Sequence, residues 1–239
     1  AAGPAAGHDG RRHGPAGRRP AAGEVTGVAG EPRGYQDRFP GFEVLGQAGH
    51  WDQVTADAIT ARVGPPPEPK FFSGPEKACA LTLVNLLTGQ NRKDDELTVP
   101  VFEMVDARLA AGETDGWRYD DMPEDGQAWR ETLAYLDADA EARYGTSFAD
   151  APEASQAALV QAVQDLKSAD WHGLPAAHVW SLWTRYACTA FYSHPAAWAE
   201  IGFPGPAYPR GYKNAGVGKL EPFEVPDRRP AIDPIRRGD

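Results

Sequence analysis

The sequence predicts an all-α protein, a small bundle of about five main helices with extended arms, rich in proline and aromatic residues, at both ends. Three observations predict this fold class. In the middle of the chain, apolar residues recur at intervals of three and four, as they do on one face of a helix. The alternation of apolar and polar residues that is typical of a half-buried strand is almost absent. The 26 glycines and 22 prolines of the 239 residues are concentrated towards the two ends.

Residues 1–34 are predicted to form a disordered tail. They consist mainly of glycine, alanine, proline and arginine and include no aromatic residue. Such a composition buries too little apolar surface to offset the conformational entropy that is lost on folding. Two arginine pairs, Arg11-Arg12 and Arg18-Arg19, resemble the pair of an export signal, but no apolar segment follows either of them. The sequence therefore favours a cytoplasmic location, or a periplasmic one if a signal has been removed.

Residues 35–70 are predicted to form an extended arm with one short helix. Large apolar anchors such as Phe39, Phe42 and Trp51 appear here for the first time in the chain. The short helix is expected over residues 54–63, because the sequence PPPEP that follows ends it and forms a stiff spacer. The arm is expected to pack along the main body rather than to fold alone.

Residues 71–194 are predicted to form the helical body, in which apolar side chains fall on one face of each helix. The first helix begins at a capping box formed by Ser73 and Glu76, with a proline in its first turn. The second helix begins at Pro100, since proline is favoured at the start of a helix, and it ends at Gly112.

Three more helices complete the predicted body. The third ends near Gly145, because glycine readily adopts the left-handed conformation that closes a helix. The fourth begins at a cap formed by Asp150 and Glu153. The fifth begins near Pro175 and ends before Pro195, since proline disfavours helix at the residue that precedes it.

Residues 195–239 are predicted to form a second extended arm. Pro204, Pro206 and Pro209 each remove a backbone donor and fix φ, which disfavours a regular helix or strand. The first part of the arm nevertheless carries several large apolar side chains, among them Trp198, Ile201, Phe203, Tyr208 and Tyr212. An extended segment buries such side chains against its own chain, against a partner, or against both. Since Trp, Tyr and Arg provide much of the binding energy at protein interfaces, these aromatics and the nearby Arg210 predict a partner interface.

Composition and charge exclude several classes of function. With 24 lysines and arginines against 34 aspartates and glutamates, the formal net charge is −10. A chain this acidic gains nothing from counterion release on nucleic acid and is repelled by anionic lipid headgroups. No uninterrupted apolar run of about 18 residues occurs in the sequence, so no membrane span is predicted.

No pattern of catalytic or metal-ligating residues stands out. His172 and His178 lie six residues apart, which is not the spacing that places two ligands on one helix face. Cys79 and Cys188 are interpreted as inert core thiols, and whether they pair is left open. The sequence has no Gly-x-Ser-x-Gly, Cys-x-x-Cys, dinucleotide-binding or phosphate-loop motif. It therefore predicts no catalytic residue, metal site or cofactor in this chain, and the acidic stretch at residues 93–96 is interpreted as a solvated loop.

Six segments occur in an order that is informative as a series. The most specific is FYSHPAAWAEIGFPGPAYPRGY, residues 191–212. It is preceded by FFSGPEKACALTLVNLL, a Val-Pro-Val before a helix, MPEDGQAWRETLAYLDADA, GTSFAD and DWHGLP. This series resembles the gluconate 2-dehydrogenase subunit 3 family, and the resemblance spans approximately residues 39–226.

The resemblance implies that the chain is the small, non-catalytic subunit of a sugar or polyol dehydrogenase complex. In such complexes, FAD and hydride transfer belong to a large subunit of the glucose-methanol-choline type, and a haem c subunit sometimes passes the electrons on. The small subunit binds the large one and supports its folding. The residues to which a partner-interface role is assigned are the following: Trp198, Glu200, Ile201, Phe203, Tyr208, Arg210 and Tyr212.

Two functions of other classes stay open at this point. One is a stand-alone enzyme with an unrecognised site near His172, His178 and His194. The other is a helical module that binds a small ligand within the bundle. Activity of the isolated chain that is lost on His→Ala substitution would indicate the enzyme, and stabilisation of the isolated chain by sugars or FAD would indicate the binding module.

Overall fold

The computed structural model describes residues 39, 41–90, 99–214 and 216–228. The predicted tail at residues 1–34 and the acidic stretch at residues 93–96 lie outside the described residues. The described residues are mostly helical, with one antiparallel pair of two-residue strands. The predicted all-α fold class is therefore confirmed.

The described residues form seven α-helices and two strands, which follow one another along the chain. They are α1 (Gln53–Thr60), α2 (Pro75–Leu87), α3 (Val101–Ala110), α4 (Asp125–Tyr144), α5 (Glu153–Asp165), β1 (Asp170–Trp171), β2 (Leu174–Pro175), α6 (Ala176–Tyr192) and α7 (Pro195–Ile201). Short 3-10 helices cover Val44–His50 and Ala61–Val63. The five main helices predicted from the sequence are α2 to α6.

The ends of the helices agree with the sequence signals in part. Gly145 ends α4 in the left-handed conformation, with φ of +68°. At the start of α2 only half of the predicted capping box forms, because the Glu76 carboxylate accepts from the Ser73 N–H at 3.2 Å but the Ser73 side chain caps nothing. The predicted cap of α5 by Asp150 is wrong, since this carboxylate accepts a hydrogen bond from the Ser147 hydroxyl instead, at 2.8 Å.

Helix α6 lies at the centre of the bundle and packs against α2, α3, α4, α5 and α7. Its two largest core side chains, Trp183 and Tyr186, are fully buried, as is Trp129 on α4. The Trp183 indole N–H donates to the Thr132 hydroxyl at 3.0 Å, so its polar atom is satisfied within the core. The core is thus built around aromatic side chains from α4 and α6.

A buried carboxylate on α3 joins the N-terminal arm to the body. Asp106 is completely shielded from solvent. It accepts hydrogen bonds from the backbone N–H groups of Lys70, of Phe71 at 3.1 Å and of Phe72 at 2.8 Å. Because a buried charge is stable only when it is hydrogen-bonded, this site fixes the path of the chain as it enters α2.

The prediction that the chain is extended from residue 195 is wrong for its first seven residues, which form α7. Pro195 occupies the first turn of the helix, where its missing N–H is not needed. The His194 side chain caps the helix by accepting from the Ala196 N–H at 3.2 Å, and Gly202 ends it at φ of +70°. The prolines that disfavour a helix all follow Gly202, so they do not act on α7.

Candidate partner interface

The two arms pack on each other and form a second apolar cluster apart from the main core. Its buried members are Val44, Trp51, Ile59 and Trp198. Trp198 is only 5% exposed, and its indole N–H donates to the Tyr192 carbonyl at 2.6 Å. Trp198 therefore packs inside this chain, because α7 turns the side chain towards the N-terminal arm.

The chain leaves α7 in close contact with the N-terminal arm. Phe203 lies edge-on to Trp198, with ring centroids 5.3 Å apart. At Gly205, φ is +78°, and a Cβ would lie 2.6 Å from the Trp51 ring. Only glycine combines this conformation with this approach. Phe203 and Gly205 thus belong to the packing between the arms.

The guanidinium of Arg62 also holds the arms together. It donates to the Ser193 carbonyl at 2.7 Å and lies 6.0 Å from the Trp198 ring centroid. The neighbouring His194 is buried, and burial lowers the pKa of its imidazole. A neutral imidazole is required here because its Nδ1 atom accepts the capping hydrogen bond.

Three of the predicted interface residues present a large apolar or aromatic surface to solvent. Tyr208 is 64% exposed, Tyr212 is 62% exposed and Ile201 is 51% exposed. Glu200, which precedes Ile201 on α7, is also exposed. Exposed tyrosines are a common feature of interfaces, since one end of the ring is apolar and the other is polar.

Arg210 and one of the exposed tyrosines, Tyr212, pack on the same ring. The Arg210 guanidinium donates to the Gln47 side chain at 2.9 Å and lies 3.8 Å from the Phe223 ring centroid. Tyr212 packs against the same Phe223, with centroids 5.9 Å apart. Arg210 is half-buried and connects the C-terminal segment with the N-terminal arm.

A buried carboxylate fixes the segment that follows, and the sequence analysis missed it. Glu221 is only 5% exposed. Its carboxylate accepts from the backbone N–H groups of Lys213 and Asn214 and from the Asn214 amide at 3.3 Å. Val217 and Leu220 are both exposed on this segment. With Ile201, Tyr208 and Tyr212 they make five large exposed apolar or aromatic side chains between residues 201 and 220, and only the fold reveals which side chains point outwards.

The structure thus divides the seven predicted interface residues into two groups. Trp198 and Phe203 pack against the chain's own N-terminal arm. Glu200, Ile201, Tyr208 and Tyr212 lie at the surface, as does the half-buried Arg210, which joins the N-terminal arm through Gln47. We call the exposed set of Ile201, Tyr208, Tyr212, Val217 and Leu220 the C-terminal surface. Its binding to a partner stays a prediction.

The histidines do not share a site. The imidazole of His172 lies 2.9 Å from an Asp139 carboxylate oxygen, and that of His178 lies 2.8 Å from an Asp121 carboxylate oxygen. His194 caps α7, as described above. Among the residues that the structure describes, no group of three or more His, Cys, Asp or Glu side chains is placed to hold a metal ion. The histidines therefore have separate structural partners.

A network of charges connects α3, α6 and the loop between α3 and α4. Asp115 in this loop pairs with both Arg108 on α3 and Arg185 on α6. Burial alone would raise the pKa of Asp115, but the hydrogen bonds from the two guanidinium groups hold it below its usual range. Burial raises the pKa of Tyr186, whose hydroxyl donates to Asp125 at 2.7 Å.

The two cysteines are free thiols in different environments. Cys79 is buried at the centre of α2, and its burial raises the pKa of the thiol, in agreement with an inert core residue. The placement of Cys188 in the core is wrong, because this residue lies on an exposed face of α6, although partial burial still raises the pKa of its thiol. Helical periodicity places Cys188 next to core residues in the sequence, but the apolar face of α6 is narrower than predicted.

Comparison with known proteins gives one match. The family model described as "Gluconate 2-dehydrogenase subunit 3" matches residues 75–205, which is more than half of the chain and runs from the start of α2 to just beyond α7. No curated protein and no solved structure matches the chain. None of the described helices is long and apolar enough to cross a membrane.

Proposed function

Because the chain belongs to the gluconate 2-dehydrogenase subunit 3 family, we propose that it is the non-catalytic small subunit of a dehydrogenase complex. In this proposal it binds and stabilises a catalytic subunit that contains FAD and oxidises a CH–OH group of a sugar or polyol. The observation that carries the proposal is the family match over residues 75–205. The match covers all five main helices and α7, so it extends over the whole folded body.

The C-terminal surface supports the partner role. Its two tyrosines are more than half exposed, and one of them, Tyr212, packs on Phe223, which Arg210 contacts on its ring. A side chain that is already held loses little conformational entropy when a partner covers it. If these five exposed side chains together form one patch, it is of the kind that is more typical of an interaction site than of a solvated face.

The placement of the polar side chains supports a non-catalytic role. His172, His178 and His194 are each held by a different partner, and Asp106 and Glu221 are occupied with backbone N–H groups. Such groups stabilise the fold and are not arranged as a nucleophile with its base. The proposal assigns FAD to the partner, as the resemblance to the family implies.

The small subunit would stabilise its partner by mass action. A protein that binds the folded form of another and not its unfolded form shifts the folding equilibrium of that partner, by about 2.7 kcal/mol when its concentration is about 100 times the dissociation constant. A subunit without chemistry of its own therefore affects the amount of active enzyme in a cell.

The proposal is tested by co-expression with the FAD-containing subunit and purification through a tag on this chain alone. We expect a yellow complex in which flavin absorption and dehydrogenase activity elute together. The double variant Tyr208→Ala/Tyr212→Ala should weaken the complex, whereas Tyr144→Ala, which truncates a tyrosine that is 42% exposed at the end of α4, should not. The proposal fails if the FAD-containing subunit does not co-purify with this chain and is equally soluble, stable and active in its presence and absence.

A further inference from the structure

The loop between α3 and α4, residues 111–124, is exposed along most of its length but is held firmly to the body. Asp115 lies between the guanidinium groups of Arg108 and Arg185, as described above. The ring of Tyr119 stacks on His178 of α6, with centroids 3.6 Å apart and an angle of 2° between the rings. The loop therefore has contacts to both α3 and α6 that fix its conformation.

Further hydrogen bonds fix the second half of the loop. Arg118 donates to the Met122 carbonyl at 2.8 Å and pairs with Glu124 at 3.1 Å. Asp121 holds the imidazole of His178, whose ring stacks on Tyr119. An exposed loop held in this way loses little conformational entropy when a partner binds to it.

Trp117 projects from this fixed loop into solvent. The side chain is 50% exposed. One edge contacts Tyr119, with centroids 5.3 Å apart, and the Arg185 guanidinium lies 4.8 Å from its ring centroid. Tryptophans that are held in this way and exposed in the free protein are the residue type that most often dominates binding energy at an interface.

An open cavity of about 350 Å³ lies next to this ion-pair network, since Arg108, the partner of Asp115, lines it. It lies between α3 and α6 and is lined mostly by small and apolar side chains, including Met104, Ala107 and Ala190. Arg108 and Glu113 also line it, so the cavity and the loop share the same charged network. A cavity of this size accepts a bulky apolar side chain of another protein.

The charge of the loop indicates which residues of a partner would surround the apolar side chain that enters the cavity. Residues 111–124 contain five carboxylates and one arginine. All five belong to exposed residues. Asp115, Asp121 and Glu124 have partners within the chain, whereas no salt bridge involves Glu113 or Asp120 among the described residues. A surface this acidic is complementary to a basic patch and is repelled by an acidic one.

We propose that Trp117 and the adjacent cavity form a second docking surface, at which the FAD-containing subunit inserts an apolar side chain between α3 and α6 and places basic residues against the acidic loop. The inference rests on the proposed function, since it takes the FAD-containing subunit as the occupant. It adds a contact that lies outside the C-terminal surface and that no motif in the sequence indicates. Trp117 is then a projecting anchor, and the cavity receives an anchor from the partner.

The test measures the affinity of the full chain for the purified FAD-containing subunit. Trp117→Ala removes the projecting anchor, and Thr189→Phe places a large ring at an exposed position that lines the cavity. The matched controls are Tyr144→Ala and Ala157→Phe, which make equivalent changes at exposed positions of α4 and α5. Circular dichroism and thermal unfolding establish that every variant is folded before its affinity is compared.

We expect each of the two test variants to weaken binding by at least about tenfold, since truncation of a central aromatic anchor commonly has an effect of this size or larger. The controls should bind within about twofold of the wild type. Raising the NaCl concentration from 50 to 300 mM should slow the association of the wild type, because it screens the attraction to a basic patch.

The outcomes separate this inference from the proposed function. If the wild type binds the FAD-containing subunit but either test variant binds equally well, the second docking surface is wrong and the proposed function stands. If association with the wild type does not depend on salt, the basic patch is wrong. If the wild type does not bind the FAD-containing subunit at all, the proposed function itself is overturned, and this inference fails with it.

Discussion

Replacement of Asp106 by alanine should destabilise the protein more than any other single carboxylate deletion on α3. The side chain is fully buried and accepts hydrogen bonds from three consecutive backbone N–H groups, those of Lys70, Phe71 and Phe72. Hydrogen bonds to a charged group contribute about 1.5–3 kcal/mol each, and an unpaired buried donor costs about 1–3 kcal/mol. Because the Lys70 and Phe71 groups are only partly buried, water can replace the carboxylate there, whereas the Phe72 group is buried.

We therefore expect Asp106→Ala to lower the free energy of unfolding by about 3–5 kcal/mol. Asp106→Asn, which keeps one acceptor oxygen, should have an effect of about 2 kcal/mol. Glu103→Ala on the same helix is the control, and it should change the free energy by no more than about 1 kcal/mol through the loss of a charge in the first turn.

The assay is urea unfolding followed by circular dichroism, with the free energy extrapolated to water. Amide hydrogen exchange provides a local measurement, since the Phe72 N–H should lose its protection in the alanine variant before the centre of α6 does. The reasoning is refuted if Asp106→Ala costs less than about 1 kcal/mol, or if the Phe72 N–H remains as protected as in the wild type.

Three further predictions concern the arms and α6. Burial holds the pKa of His194 below its ordinary value of 6.5. Near this pH the unfolded state therefore binds more protons than the folded state. The stability of the fold should fall as the pH drops below about 6.5. Urea unfolding at pH 7.5 and 5.5 measures this loss of stability. His194→Asn, which keeps a capping side chain, should lose less stability between the two pH values than the wild type. An equal loss in the variant would contradict the assignment to His194. Gly205→Ala should lower the melting temperature more than Gly211→Ala. Both residues have positive φ, but only a Cβ at Gly205 meets the Trp51 ring. Equal melting temperatures of the two variants would argue against this contact. A maleimide probe should label one thiol, Cys188, in the folded protein and two in urea, and rapid labelling of both thiols in the folded protein would contradict the buried position of the other cysteine.

Local signals in the sequence were sufficient to predict the helices of the body. Apolar spacing identified all five, and Gly145 marked the end of α4 because a left-handed residue closes a helix irrespective of its tertiary surroundings. The failed cap of Asp150 and the missed helix α7 show the limit of this method. The Ser147 hydroxyl donates to Asp150 and so competes with the expected cap of α5. The His194 side chain accepts from the Ala196 N–H and so caps a helix that was not expected.

The candidate surfaces depended on contacts between residues that are distant in sequence. The exposed aromatic residues of the C-terminal arm could be proposed from composition, but the burial of Trp198 follows from its contact with an arm more than 130 residues earlier. Likewise, the sequence around Trp117 does not indicate an interaction site. The fold shows that Asp115 lies between Arg108 and Arg185, and Arg185 is 70 residues further along the chain than Asp115. Polar residues such as Asp106 and Glu221 look like solvated positions in the sequence, although they hold its segments together.

The central claim is that this chain binds and stabilises an FAD-containing dehydrogenase subunit. The most direct measurement is the flavin absorption spectrum of material that is co-purified through a tag on this chain after co-expression with that subunit. We expect a complex with a bound flavin, which dissociates more readily when the residues of the C-terminal surface are replaced. A colourless, monodisperse monomer, together with an FAD-containing subunit that is fully stable and active by itself, would contradict it.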